Sequence, residues 1–212
     1  MKISASYLSI KEDLKENIDK LTNCDIDYLH LDVMDGIFVE NKTKDFNDLE
    51  KALNHKKPLD VHLMVKDVSK YIEEYKKLKP EFITFHYEID YDIMALVMEL
   101  KNNNIKAGIS IKPNTKVESL IPYLPFIDLV LIMTVEPGKG GQEFIEESTD
   151  KIKKLIELRN NNKYDFLIEV DGGINDLTIE KVSNVDISVI GSYITNGNYE
   201  ERIKNIKEKI YG

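Results

Sequence analysis

Apolar and polar residues alternate between two periods along the chain. Runs with a period of two lie at Lys2 to Ser6, Asp27 to Val33, Leu59 to Met64, Phe82 to Tyr87, Ile105 to Ile111, Ile127 to Thr134, Phe166 to Asp171 and Asp186 to Ile190, and each predicts a β-strand. Between them, Lys11 to Leu21, Val68 to Leu78, Tyr91 to Asn102, Phe144 to Asn160 and Glu201 to Ile210 carry apolar residues at helical spacing, which predicts amphipathic helices. Strand and helix in alternation specify a parallel sheet, and eight such runs in 212 residues fit one closed (β/α)8 TIM barrel better than an open sheet. No linker or low-complexity stretch interrupts the pattern, so a single domain over 1–212 is expected. No Gly-x-Gly-x-x-Gly follows the first strand, which argues against a dinucleotide-binding sheet.

Strand parity then separates lumen from exterior, because successive side chains point to opposite faces. Leu29, Leu31 and Val33 share one face of the second strand, and His30, Asp32 and Met34 the other. In the third strand Leu59, Val61 and Leu63 oppose Asp60, His62 and Met64; in the seventh, Ile168 and Val170 oppose Glu169 and Asp171. Ser4 and Ser6 share a face, as do Thr84 and His86. Polar groups thus converge on the lumen near the carboxyl ends of the strands, where barrel enzymes assemble their active sites.

Carboxylates and imidazoles buried together must pair with each other or hold a cation. His30, Asp32, His62 and Asp171 are the candidate ligands of one divalent metal. Zn2+ suits this mixed nitrogen and oxygen set, as do Fe2+, Mn2+ and Co2+. Either histidine alone reads equally well as a hydrogen-bonded core residue; the shared parity and strand-end placement favour the metal. Glu169 lies one layer deeper and is expected to make a structural hydrogen bond. His86 is a core or site-lining residue. Met34, Met64 and Met133 lie near strand ends as core packing or as an apolar wall of the site.

Glycines mark three loops: Gly138, Gly140 and Gly141 after the sixth strand, Gly172 and Gly173 after the seventh, and Gly191 with Ser192 after the eighth. Any one is a tight turn, but together they predict a phosphate site of backbone N–H groups.

Composition narrows the partners. An apolar share of 42% and a charged share of 32%, with no apolar run near the roughly 18 residues of a membrane span, predict a soluble protein with no membrane partner. The amino terminus lacks the pattern of a secretory signal, so the cytoplasm is the expected compartment. One cysteine, Cys24, builds neither a disulfide framework nor a thiolate metal site and is read as structural. A net charge of -9 without a Lys/Arg block excludes nucleic acid as the main partner. It leaves an anionic small substrate open, since backbone amides bind phosphate without net positive charge.

The runs Leu29-His-Leu-Asp-Val-Met-Asp-Gly36, Leu59-Asp-Val-His-Leu-Met-Val65, Met133-Thr-Val-Glu-Pro-Gly138 with Gly140-Gly-Gln142, and Ile168-Glu-Val-Asp-Gly-Gly173 resemble the signatures of the ribulose-phosphate 3-epimerases, in their order and across essentially the whole chain. The resemblance implies a ribulose-phosphate-binding barrel that interconverts D-ribulose 5-phosphate and D-xylulose 5-phosphate. It implies His30, Asp32, His62 and Asp171 as metal ligands, with Asp32 and Asp171 also the acid/base pair. Ser6 and His62 would contact substrate, the three methionines would cap the reacting carbon, and Gly141, Gly173, Gly191 and Ser192 would hold phosphate. A homo-oligomer, dimer or hexamer, is a further implication.

Ile37, Glu40, Tyr7 and Lys139 depart from the family's usual residues; none is a proposed ligand. Lys139 alters the loop expected to close over substrate. The competing readings are a six-carbon ketose-phosphate epimerase, such as one for allulose 6-phosphate, and a non-catalytic sugar-phosphate-binding protein. A phosphate-binding decarboxylase would place Lys two residues after the strand-two Asp, where this chain has Met34.

Overall fold

The computed structural model describes residues 1–10 and 12–212. Eight strands, β1 Lys2–Ser6, β2 Tyr28–Met34, β3 Leu59–Met64, β4 Phe82–His86, β5 Lys106–Ile111, β6 Leu129–Met133, β7 Leu167–Asp171 and β8 Ile187–Ile190, pair in parallel in sequence order and close into a barrel. Helices α1 Leu14–Asn23, α2 Phe46–Ala52, α3 Val68–Tyr75, α4 Ile93–Asn102, α5 Ser148–Asn162, α6 Ser192–Thr195 and α7 Tyr199–Tyr211 lie outside the sheet. The predicted first helix began at Lys11, which is outside the described residues; the helix itself begins at Leu14.

The crossovers are less regular than a strict eightfold repeat. After β5 and β7 the chain forms single 3-10 turns, Val117–Leu120 and Ile179–Val182, and α2 is too short for its period to be read in sequence. Several predicted strands also extended one or two residues beyond the ladder, for a recurrent reason. The carboxylates of Asp27, Asp128 and Asp186 accept backbone N–H groups of the neighbouring strand, from Ile3 at 2.9 Å, Ala107 at 2.9 Å and Ile168 at 2.7 Å. At each, the aspartate N–H still donates to the neighbouring strand, and the side chain takes the place of the preceding backbone carbonyl as acceptor.

Two apolar layers result. The larger lies between sheet and helices and includes Leu31, Val61, Ile83, Ile109 and Val170. The smaller fills the lumen with Tyr28, Phe82, Leu129, Leu131, Met133, Val135 and Ile187, its floor locked by an edge-to-face pair of Tyr28 and Phe82 with centroids 5.7 Å apart. On β5, Gly108 is required because a Cβ there would stand 2.2 Å from Thr84 Oγ1. Above the floor the lumen turns polar, with His30, Asp60, His62, Thr84, His86 and Glu169 all buried. Among the described residues, no helix is long and apolar enough to cross a membrane.

Candidate active site

Register brings the predicted ligands together. Asp32 on β2 sits opposite His62 on β3, and Asp171 on β7 sits opposite Met133 on β6. His30, Asp32, His62 and Asp171 each direct one nitrogen or oxygen into a common pocket, and these atoms lie within 4.8 Å of one another. His30 Nε2 and His62 Nδ1 are each 3.4 Å from Asp32 Oδ1, and His62 Nδ1 is 3.6 Å from Asp171 Oδ2. Both nitrogens are buried and lack a hydrogen-bond partner. Donors about 2.0–2.1 Å from a tetrahedral ion stand about 3.3 Å apart, so two orphaned imidazole nitrogens and two carboxylates at this spacing fit a small divalent cation.

Three of the four, His30, Asp32 and His62, are braced from behind. His30 Nδ1 lies 2.7 Å from Asp60 Oδ2, which also accepts the Ser4 hydroxyl at 2.7 Å. The Ser6 hydroxyl donates to Asp32 Oδ2 at 2.7 Å. His62 Nε2 lies 3.0 Å from His86 Nε2, and His86 Nδ1 lies 3.1 Å from Glu88 Oε2. Parity had placed Asp60 on the lumen face without a role, and nothing periodic had marked Glu88 or Phe38, whose ring centroid lies 4.7 Å from that of His86. Glu169 has the structural role expected of it: its carboxyl is buried beside His30 and Asp60, and burial, the Asp60 charge and a hydrogen bond to Asp60 raise it well above the usual carboxylate range.

The two aspartates differ electrostatically. Burial raises the Asp32 carboxyl, but the neighbouring His30 and His62 imidazoles outweigh burial and hold it below the usual carboxylate range. Burial and then the Asp32 charge push Asp171 up. The imidazoles respond in turn. Burial disfavours their cations, yet Asp60 and Asp32 raise His30 well above its ordinary value, and Asp171 and Asp32 raise His62. The two carboxyls are thus biased in opposite directions within one pocket.

Above the cation pocket opens a cleft lined by Ser6, Asp32, Met34, Met64, Met133, Asp171, Gly138, Gly140, Gly141, Gly172, Gly173, Gly191 and Ser192. Every predicted site residue except the deeper His30 and His62 lines it. Met34, Met64 and Met133 are buried and still reach the cleft, so the packing and site-wall readings coincide. The glycine loops have conformations that other residues resist. Gly172 has φ +117°, and a Cβ on it would stand 2.3 Å from Val135 Cγ2; Gly173 has φ +68°, with Phe144 N only 2.6 Å from the same added atom. Thr134 Oγ1 pins the Gly172 carbonyl at 2.5 Å, and Thr178 Oγ1 the Gly173 carbonyl at 2.8 Å. Lys139 also lines the cleft. Of the other departures, Ile37 is exposed, whereas Tyr7 is buried with its hydroxyl unpartnered.

Fold and site together define a barrel with two carboxylates and two imidazoles clustered in a cation-type pocket below a glycine-lined cleft at the carboxyl ends of its strands. The Ribulose-phosphate 3 epimerase family model matches residues 2–195, and the chain belongs to that family of carbohydrate isomerases. It is 39% identical over 198 residues to the ribulose-phosphate 3-epimerase of Helicobacter pylori (strain ATCC 700392 / 26695), covering 92% of this chain and 90% of that protein. Identity to the Treponema pallidum (strain Nichols) enzyme of the same name is 39% over 174 residues, or 80% of this chain and 79% of that one. Among solved structures, 3-hexulose-6-phosphate synthase from Salmonella typhimurium superposes with a TM-score of 0.72 at 14% identity, covering 99% of this chain and 98% of that one. That likeness bears on the fold alone.

Proposed function

We propose that this chain interconverts D-ribulose 5-phosphate and D-xylulose 5-phosphate by proton transfer at C3, on one barrel domain over 1–212. The observation that carries the reading is the Asp32 and Asp171 pair, oppositely biased in proton affinity and sharing one pocket with His30 and His62. Epimerisation beside a ketone removes a proton from one face and returns one to the other, so two acid/base groups must flank the carbon. Asp32, kept ionised and oriented by the Ser6 hydroxyl, takes the proton, and the Asp171 carboxyl supplies one from the other side. The reverse reaction exchanges their roles.

His30, Asp32, His62 and Asp171 would hold one divalent metal per subunit, Zn2+ by preference and Fe2+, Mn2+ or Co2+ as alternatives. Bound there, it supplies Lewis-acid stabilisation of the negative charge that develops on the substrate's oxygens. Met34, Met64 and Met133 exclude water from the reacting carbon, while Gly141, Gly172, Gly173, Gly191 and Ser192 receive the phosphate through backbone N–H groups and a hydroxyl. Gly138 and Gly140 shape the loop over it. The family resemblance extends the proposal to a cytoplasmic homo-oligomer, dimer or hexamer.

The test is turnover of D-ribulose 5-phosphate beside allulose 6-phosphate, with deuterium uptake at C3 followed in D2O. Preferred turnover of the pentose phosphate with C3 exchange is the expected result. Preference for the six-carbon sugar overturns the substrate, and absence of exchange from both overturns the reaction.

A further inference from the structure

His30 and His62 present different nitrogens to the pocket, and only one of them is held by a simple device. His30 donates Nδ1–H to the buried Asp60 carboxylate at 2.7 Å and so offers Nε2. His62 offers Nδ1, and its Nε2 faces another imidazole nitrogen, His86 Nε2, at 3.0 Å. Two imidazoles in contact share a single proton, and the contact alone does not say which ring owns it. If His62 owns it, Nδ1 of the neutral ring is a lone pair free for a metal. If His86 owns it, neutral His62 must carry its proton on Nδ1, where it blocks the pocket.

The answer is written one residue farther out. Glu88 Oε2 lies 3.1 Å from His86 Nδ1, while Glu88 Oε1 accepts Lys112 N–H at 2.8 Å and the Thr115 hydroxyl. Burial raises the Glu88 carboxyl, but His86, Thr115 and the Lys112 amide bring it down to about 2, so it is ionised and only accepts. His86 is buried between Glu88 and His62, and burial of an imidazole favours its neutral form. A neutral His86 facing an acceptor at Nδ1 must place its one proton there, which leaves Nε2 as an acceptor. We infer that Glu88 and His86 form a proton relay that fixes His62 as the Nε2–H tautomer and so turns Nδ1 to the metal pocket. Glu88 is thereby a positioning residue for the metal, acting through two rings. The inference rests on the metal reading of the pocket.

Glu88→Gln separates this role from a structural one. Its amide oxygen keeps the Lys112 and Thr115 contacts that anchor the loop after β5, while its NH2 now faces His86 Nδ1 as a donor. His86 must then shift its proton to Nε2, and the relay reverses. Thr115→Val provides the converse control, loosening the loop while leaving the relay intact. The measurements are Zn2+ affinity of the full chain by competition with a chelating dye, and 15N–1H spectra of the histidine rings with and without Zn2+.

Expected are a Zn2+ affinity weakened about 10- to 100-fold in Glu88→Gln and by less than about threefold in Thr115→Val. The His86 proton should sit on Nδ1 in wild type and on Nε2 in Glu88→Gln. A wild-type His86 protonated on Nε2, or a Glu88→Gln affinity no weaker than that of Thr115→Val, overturns the relay. A wild type without Zn2+ affinity overturns the metal reading instead, and the ring spectra of the metal-free protein still decide whether the relay exists.

Discussion

The two halves of the site are built by different means. The cation pocket hangs on β2, β3 and β7, where the ladder register fixes each Cα and a carboxylate, a hydroxyl and a second imidazole brace His30, Asp32 and His62. The cleft side hangs on loops after β6, β7 and β8, where main-chain shape depends on glycines with positive φ. In the proposed function, side chains perform the chemistry in the first half and main-chain shape performs phosphate binding in the second. The comparison teaches where damage should appear: in kcat for the strand half and in KM for the loop half.

The largest effect should come from Asp171→Asn, which removes a proton donor and a metal-pocket oxygen together. Turnover and C3 hydrogen exchange should fall about 10²- to 10⁴-fold. The melting temperature of the metal-free protein should hold or rise, because burial and the Asp32 charge already disfavour the Asp171 carboxylate. A melting point that collapses with activity would make Asp171 a structural residue and break the division between halves.

Removing the metal tests the strand half alone. At Zn2+ a hundredfold above its dissociation constant, the folded state should gain about 2.7 kcal/mol over chelated protein. The gain should depend on pH with a definite sign. His30 and His62 have raised folded pKa values, so in the metal-free chain their stabilising contribution is complete below the ordinary histidine value and is lost as pH rises through the folded values. Zn2+ must displace those protons, so its affinity should increase with pH over the same window. Calorimetric melting at pH 6 and pH 8, with and without Zn2+, reads both trends; a stabilising shift larger at pH 6 would contradict them.

Gly172→Ala tests the loop half. The added methyl stands 2.3 Å from Val135 Cγ2 at φ +117°, so overpacking should lower stability by about 1–3 kcal/mol and raise KM more than it lowers kcat. Adding Val135→Ala should restore part of the stability, since it removes the Cγ atoms but not the backbone strain. Full recovery would show that crowding, not conformation, makes this glycine necessary.

The same contrast explains what could be read in the sequence. The convergence of His30, Asp32, His62 and Asp171 was legible because strand parity is strict: His30 and Asp32 share a face whatever the packing around them. The phosphate loops were legible as glycine clusters, although not which glycines need positive φ. Gly140 and Gly191 do not, whereas Gly172 and Gly173 do. The braces behind the ligands were hidden for geometric reasons. Glu88 lies two residues past His86, beyond the end of β4, and reaches it only because the loop after β5 closes over it. Glu169 shows parity with Asp171, but its pairing with Asp60 depends on what β3 places across the lumen. The 3-10 turns after β5 and β7 are four residues each, too brief for a helical period to register.

The smallest effect sharpens the comparison most. Ser192 is half-exposed, opens the four-residue α6 and lines the cleft beside Gly191. As a phosphate contact its hydroxyl would touch a group that does not change during the reaction, so ground state and transition state lose equally when it is removed. Ser192→Ala should raise KM about tenfold or less, the worth of one hydrogen bond to a charged group, and leave kcat and Zn2+ affinity unchanged. Inorganic phosphate, as a competitive inhibitor, should weaken by the same factor as the substrate. If kcat falls instead while phosphate inhibition is unaltered, Ser192 is acting on the reacting end of the substrate, and the two halves are not as separate as their construction suggests.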